Sequence, residues 1–174
     1  TLVFTAGATE SNNLALRGLF AAMGRPGDGI VTCAIEHEAV LETCHALAAA
    51  GARVTVLPVD AEGRVSVEAV ERTLDDRTLV VSVMMANNEI GTLQPMGELG
   101  DLCRRRGVLL HSDAVQAAGR MPIDVRALRI DLLSVTGHKM YGPKGTGALY
   151  VGPGVRLTPI LTGGGQEGGA RSGT

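Results

Sequence analysis

The sequence predicts an α/β domain: a mostly parallel seven-stranded sheet with one antiparallel strand and helices on both faces. Three observations carry this reading. Short runs rich in Val, Leu and Ile alternate with longer amphipathic ones, and continuous apolarity marks strands that are covered on both faces. The order strand–helix–strand–helix is what a parallel sheet with right-handed crossovers requires. The last two strands are joined by a glycine-rich connection too short for a helix. Parallel neighbours need a longer crossover, so the final strand is expected to run antiparallel.

Strands are expected at residues 2–4, 30–33, 53–57, 79–84, 108–111, 132–135 and 148–151, and helices at 10–23, 38–50, 67–74 and 96–106. Leu14, Leu16, Leu19 and Phe20 give the first helix its apolar stripe. Gly24, Gly51 and Gly107 stand where helix ends favour glycine, and Pro95 sits near the first turn of the fourth helix, where its missing donor costs nothing. The run Arg104-Arg105-Arg106 closes that helix and reads as cations at a helix C-terminus, not as a phosphate-binding patch. Residues 1–151 form the predicted domain. From Gly152 the texture changes to Gly, Pro and Thr, and residues 152–174 are expected to be a functional or mobile loop.

A chain of 174 residues with 45% apolar residues and a net charge of −2 reads as a soluble globular protein, neither disordered nor nucleic-acid binding. With aromatics at 2%, the core must be built from Val, Leu, Ile, Ala and Met. Cys33, Cys44 and Cys103 are odd in number and far apart, which suggests reduced thiols in a cytoplasmic compartment. No run is long enough for a membrane span, and no signal peptide is visible. Thr1 opens on a strand and Thr174 ends in a glycine-rich stretch, so the chain is expected to be a fragment.

In an open α/β sheet ligands collect at the carboxyl ends of the strands. The residues that follow five of the predicted strands bring polar groups to one rim: Thr5, Gly7, Ala8, Thr9 and Glu10; Glu36 and His37; Asn87, Asn88 and Glu89; Asp113 and Gln116; Thr136, His138 and Lys139. Each alone reads more readily as a cap or turn residue; five coordinated appearances do not. The stretch TAGATESNNLA places a Gly–Ala–Thr turn at a helix start. It is either a phosphate cradle of free backbone N–H groups or a capping box with Thr9 as N-cap. Lys139 stands where an apolar strand runs out, an unfavourable place for a free ammonium. A lysine amine can bond to the aldehyde of a carbonyl cofactor, and pyridoxal phosphate also needs an acid on its ring nitrogen. Lys139 and Asp113 fit that division of labour. Together with the cradle they outweigh the plainer readings of a loop lysine and a turn aspartate.

The blocks TAGATESNNLALRG, AIEHEAVLETC, MANNEIGTLQP, HSDAVQAAG, TGHKMYGPKGTGALYV and RSGT, in this order, resemble those of the cysteine desulfurases. The likeness is to the subgroup that supplies sulfur for iron–sulfur cluster assembly and nitrogenase maturation. It implies a fold-type I pyridoxal-phosphate enzyme, of which this chain would be the large domain, with the N-terminal arm and the C-terminal small domain outside it. It further implies Lys139 as the cofactor-bonding lysine, Asp113 on the pyridinium nitrogen, Gln116 on the phenolic oxygen and Asn88 close by on the substrate side. His37 would stack on the ring and move protons. Ala8, Thr9, Thr136 and His138 would hold the phosphate, with Thr136 standing where the family often has serine. Thr174 would reach the phosphate of a neighbouring subunit, which implies a homodimer with the 152–174 loop at its interface.

The implied reaction converts L-cysteine to L-alanine and an enzyme-bound persulfide that is passed to a scaffold or carrier protein. The attacking cysteine and the arginine that clamps the substrate carboxylate are expected beyond residue 174, and none of the three cysteines present is promoted in its place. The alternatives are a selenocysteine lyase or another class-V aminotransferase-family enzyme, or a catalytically inactive truncated domain.

Overall fold

The computed structural model describes residues 1–173. One sheet of seven strands runs through it in the order β1-β7-β6-β5-β4-β2-β3. The strands are β1 (Leu2–Thr5), β2 (Gly29–Cys33), β3 (Arg53–Leu57), β4 (Thr78–Ser82), β5 (Leu109–Asp113), β6 (Leu132–Thr136) and β7 (Gly147–Val151). All neighbours pair in parallel except β7, which is antiparallel to both β1 and β6. The expected antiparallel strand is therefore observed, and it lies inside the sheet with β1 at the edge.

Helices cover both faces because the strand residues alternate between two cores. On one face Val31, Val81, Leu110 and Leu133 pack with Val70 of α4 (Val67–Thr73) and Leu99 and Leu102 of α5 (Met96–Arg106). On the other, Ile30, Val80, Leu132 and Leu149 pack with Leu14, Leu16, Leu19, Val40 and Leu47. Those residues come from the turn Leu14–Gly18 that joins α1 (Ala8–Asn13) to α2 (Leu19–Met23), from α2 itself and from α3 (Glu38–Ala49).

The first predicted helix differs from expectation in two ways. It starts at Ala8, and it is interrupted by a π-helical turn over Leu14–Gly18. The wide turn lies where a later segment docks: the Thr158 N–H donates to the Gly18 carbonyl at 2.9 Å. A Cβ at position 18 would sit 2.8 Å from the Thr158 carbonyl oxygen. Two strand ends also differ. β4 stops at Ser82, and beyond it the Met84 N–H turns to the Glu36 carboxylate. β5 runs on to Asp113 because Ser112 and Asp113, although polar, keep their pairing with β6.

Candidate active site

A cavity of about 880 Å³ opens at the carboxyl ends of the parallel strands. Its lining includes Ala8, Thr9, His37, Asn88, Asp113, Gln116, Thr136, His138 and Lys139. Nine of the ten residues singled out in the sequence thus meet in one place; the tenth, Thr174, lies outside the described residues.

The cradle is built by two glycines. Gly7 precedes α1 at φ 153° and ψ 179°, a conformation open to glycine, and it makes no side-chain cap. Gly147, at the start of β7, presses against it: a Cβ there would lie 2.6 Å from the Gly7 Cα. This corrects the capping-box alternative. Thr9 is the second residue of the helix, not its N-cap, and it lines the cavity. First-turn N–H groups have no intrahelical acceptors, so the cradle keeps free donors. Across the cavity Thr136 donates its hydroxyl to the Thr146 carbonyl at 3.1 Å and lies 3.1 Å from His138 Nδ1. A hydroxyl has one proton, so making both bonds requires His138 to donate from Nδ1.

Asp113 ends β5 and is 5% exposed. Asn12 Nδ2 donates to its Oδ2 at 2.7 Å, and the Val115 N–H donates to Oδ1 at 3.0 Å. Burial pushes its carboxyl up; the Val115 and Asn12 hydrogen bonds and the nearby His37 oppose that rise. Asn12 was not singled out in the sequence. Its signal there was only a second asparagine in a polar run, and it takes a fold to bring position 12 to position 113.

His37 caps α3, its Nδ1 accepting from the Ala39 N–H at 3.0 Å. A neutral ring making this bond carries its proton on Nε2. Asn88 lies within a turn in which Asn87 Oδ1 accepts from the Glu89 and Ile90 N–H groups. Asn87 Nδ2 is tied to the Ile35 carbonyl, which fixes this loop against the one carrying His37. Lys139 lies in a short 3₁₀ turn after β6, exposed to the cavity, and among the described residues its amine has no ion-pair or hydrogen-bond partner. Met84, Lys144, Ile160 and Leu161 also line the cavity and were not anticipated.

Below this rim lie further buried polar groups. Glu36 Oε1 accepts from the Met84 N–H and from the Cys33 thiol, and its Oε2 has no partner. Burial pushes Glu36 up to about 8, with the Met84 and Cys33 bonds opposing and Asp113 adding to the rise. His111, two residues before Asp113 on the same face of β5, bridges Ser82 at 2.8 Å and Ser134 at 3.1 Å. Burial holds it down at about 3. All three cysteines are buried and free, and burial pushes each thiol up, Cys44 and Cys103 to about 12 and Cys33 further with help from Glu36. Such thiols are poor nucleophiles. No group of three or more His, Cys, Asp or Glu among the described residues is placed to hold a metal ion, and no described helix is long and apolar enough to cross a membrane.

The sequence profile of the aminotransferase class-V family matches residues 1–169. A cysteine desulfurase IscS of Rickettsia bellii is 50% identical over 99% of this chain and 43% of that protein. The mitochondrial cysteine desulfurase of Drosophila melanogaster is 52% identical over 99% of this chain and 38% of that protein. Among solved structures, SspA in complex with cysteine superposes with a TM-score of 0.96 at 43% identity, over 99% of this chain and 50% of that one. DndA from Streptomyces lividans gives 0.90 at 45% identity, over 99% and 50%. The chain spans half or less of the length of these relatives.

Proposed function

The chain belongs to the class-V aminotransferase family, and from that premise we propose that it is the cofactor-binding large domain of a pyridoxal-phosphate-dependent cysteine desulfurase. The carrying observation is that a buried carboxyl without a cation partner among the described residues, Asp113, and an amine without a partner, Lys139, line one cavity. The cavity fits the cofactor group by group. The first-turn N–H groups of Ala8 and Thr9, with Thr136 and His138, suit its phosphate; Lys139 suits its aldehyde; Asp113 suits its ring nitrogen.

When bound, pyridoxal phosphate supplies an electron sink for bonds at the substrate's α-carbon. Asp113 would hold the proton on the ring nitrogen, with Asn12 orienting the carboxylate. Gln116 would hydrogen-bond the phenolic oxygen, and Asn88 would serve the substrate side. His37, fixed as the α3 cap, would support the ring and offer Nε2 for proton movement. Lys139 would hold the aldehyde, and its amine is the group that would move a proton at the reacting carbons of the substrate.

The substrate is L-cysteine, a reading supported by the likeness to a protein solved with cysteine. The products are L-alanine and a persulfide that passes to an iron–sulfur scaffold or carrier protein. The persulfide-bearing cysteine is assigned to a part of the protein outside these residues, because the three thiols present are buried and raised. The protein acts as a homodimer, with the 152–174 segment at the interface, in a reducing compartment such as the cytoplasm.

The test is spectroscopic. Full-length protein with pyridoxal phosphate should turn yellow, and Lys139→Ala should abolish the visible band while alanine release from cysteine stops. A colourless wild-type protein would overturn the proposal.

A further inference from the structure

Glu10 stands in the first turn of α1, beside the cradle, and its carboxylate is shared. Oε2 accepts the Ala6 N–H at 2.8 Å. Arg171 Nε donates to Oε1 at 2.8 Å and Nη2 to Oε2 at 3.3 Å. The two side chains are 15% and 18% exposed, and no other ion pair among the described residues has both partners so covered. Partial burial pushes the Glu10 carboxyl up, but the hydrogen bonds from Arg171 and Ala6 prevail and hold it below its ordinary range, so it is charged.

Arg171 also organises its own segment. Its Nη1 donates to the Gly173 carbonyl at 2.8 Å, the Gly173 N–H donates to Gln166 Oε1, and the Ser172 hydroxyl donates to the Gly164 carbonyl. Gly163, Gly168, Gly169 and Gly173 all have positive φ. A backbone so rich in glycine loses much freedom on ordering, and its order depends on its anchors.

Two physical consequences meet at Glu10. A carboxylate in the first turn of a helix occupies the field of the same dipole and repels any other anion brought to it. Arg171 neutralises that charge and, by the same contact, docks the 163–173 segment.

We infer that Glu10 and Arg171 are a positioning pair that makes phosphate binding at the cradle and docking of the 163–173 segment one linked equilibrium. This rests on the reading of the cradle as the cofactor's phosphate site. Linkage is reciprocal: phosphate at the cradle tightens the segment, and loss of the tie weakens phosphate binding by the same factor.

The experiment compares wild type, Arg171→Met and the double variant Glu10→Gln/Arg171→Met in the full-length protein, with pyridoxal phosphate and phosphate-free pyridoxal as probes. Arg171→Met should weaken pyridoxal phosphate by about tenfold. It should change pyridoxal by less than about twofold, because that probe never meets Glu10. The double variant should recover part of the loss, since the uncompensated carboxylate is gone while the segment keeps only its other tie, the Phe4 N–H donating to Glu167 Oε2. Hydrogen exchange of residues 163–173 should slow on adding pyridoxal phosphate in wild type and not in Arg171→Met. A purely structural role would weaken both probes alike, show no recovery in the double variant, and overturn the inference. Wild type that binds pyridoxal phosphate with no change in exchange would overturn it too, leaving the site reading intact; wild type that binds none sinks both.

Discussion

Each end of the sheet carries a concavity, and the two are built on opposite principles. At the carboxyl ends, the 880 Å³ cavity is backed by Asp113 and Glu36, both buried and both pushed up by burial without a cation in contact. At the amino ends, a groove of about 490 Å³ between α5 and the starts of β5 and β6 is lined by Arg104, Arg126, Arg129 and Asp131. It is the more one-sided in formal charge, three arginines against one aspartate, yet its arginines are exposed, Arg129 pairs with Asp101, and Asp131 takes the Leu110 N–H on Oδ2. The lesson is that charge count does not mark a site. What marks it is ionisable groups that the fold keeps where water does not solvate them.

The sharpest way to break this comparison is to remove one carboxylate at each end. Asp113→Ala should lower cysteine turnover in the full-length protein by about a hundred- to a thousand-fold, as expected for a lost fixed charge at a reacting group. Asp131→Ala should change it little. Equal losses from steady-state assays of alanine release would erase the distinction.

Next in size is the support beneath the cavity. His111→Ala would leave Ser82 and Ser134 unpaired and open a hole, at a cost of about 3 kcal/mol in denaturant unfolding. Arg104→Ala at the opposite end should fall within about 0.5 kcal/mol.

Titration sharpens the contrast further. Glu36 has a folded value of about 8, above its ordinary 4.5, so the stability it contributes is complete below pH 4.5 and is lost as pH rises towards 8. His111 has a folded value of about 3, below its ordinary 6.5, so its contribution is present above pH 6.5 and is lost as pH falls towards 3. Glu36→Gln should flatten the alkaline decline measured by unfolding at pH 5 and pH 8, and a decline that persists unchanged would mean Glu36 is ionised in the fold. The smallest expected effect is Arg126→Ala, within about 0.5 kcal/mol of stability and without change in cofactor affinity.

The alternation of apolar and amphipathic runs was enough to place all seven strands, and the connection too short for a helix was enough to orient β7. Strand ends were less legible where residues are polar. Ser112 and Asp113 look like loop, yet they stay in β5 because β6 supplies their partners. The convergence of polar strand ends was readable because the parallel topology forces it. The inner partners were not. Asn12 meets Asp113 across the fold, and the Met84 N–H meets Glu36, at separations no local pattern encodes. The cap at Thr9 was misplaced by two residues: the cap is Gly7, against which Gly147 packs, and the helix starts at Ala8.

The pairing of β1 with β7 also has a temporal side. The Val151 N–H donates to the Thr1 carbonyl across a separation of 150 residues. Polymer closure over that distance is costly, so this edge should zip up late, after the interior strands have found one another. On the ribosome, β1 would wait on the order of ten seconds for its complement to emerge. Through that interval Val3, which the finished fold buries, stands uncovered between Leu2 and Phe4, and the strand offers a chaperone an apolar stretch to cover.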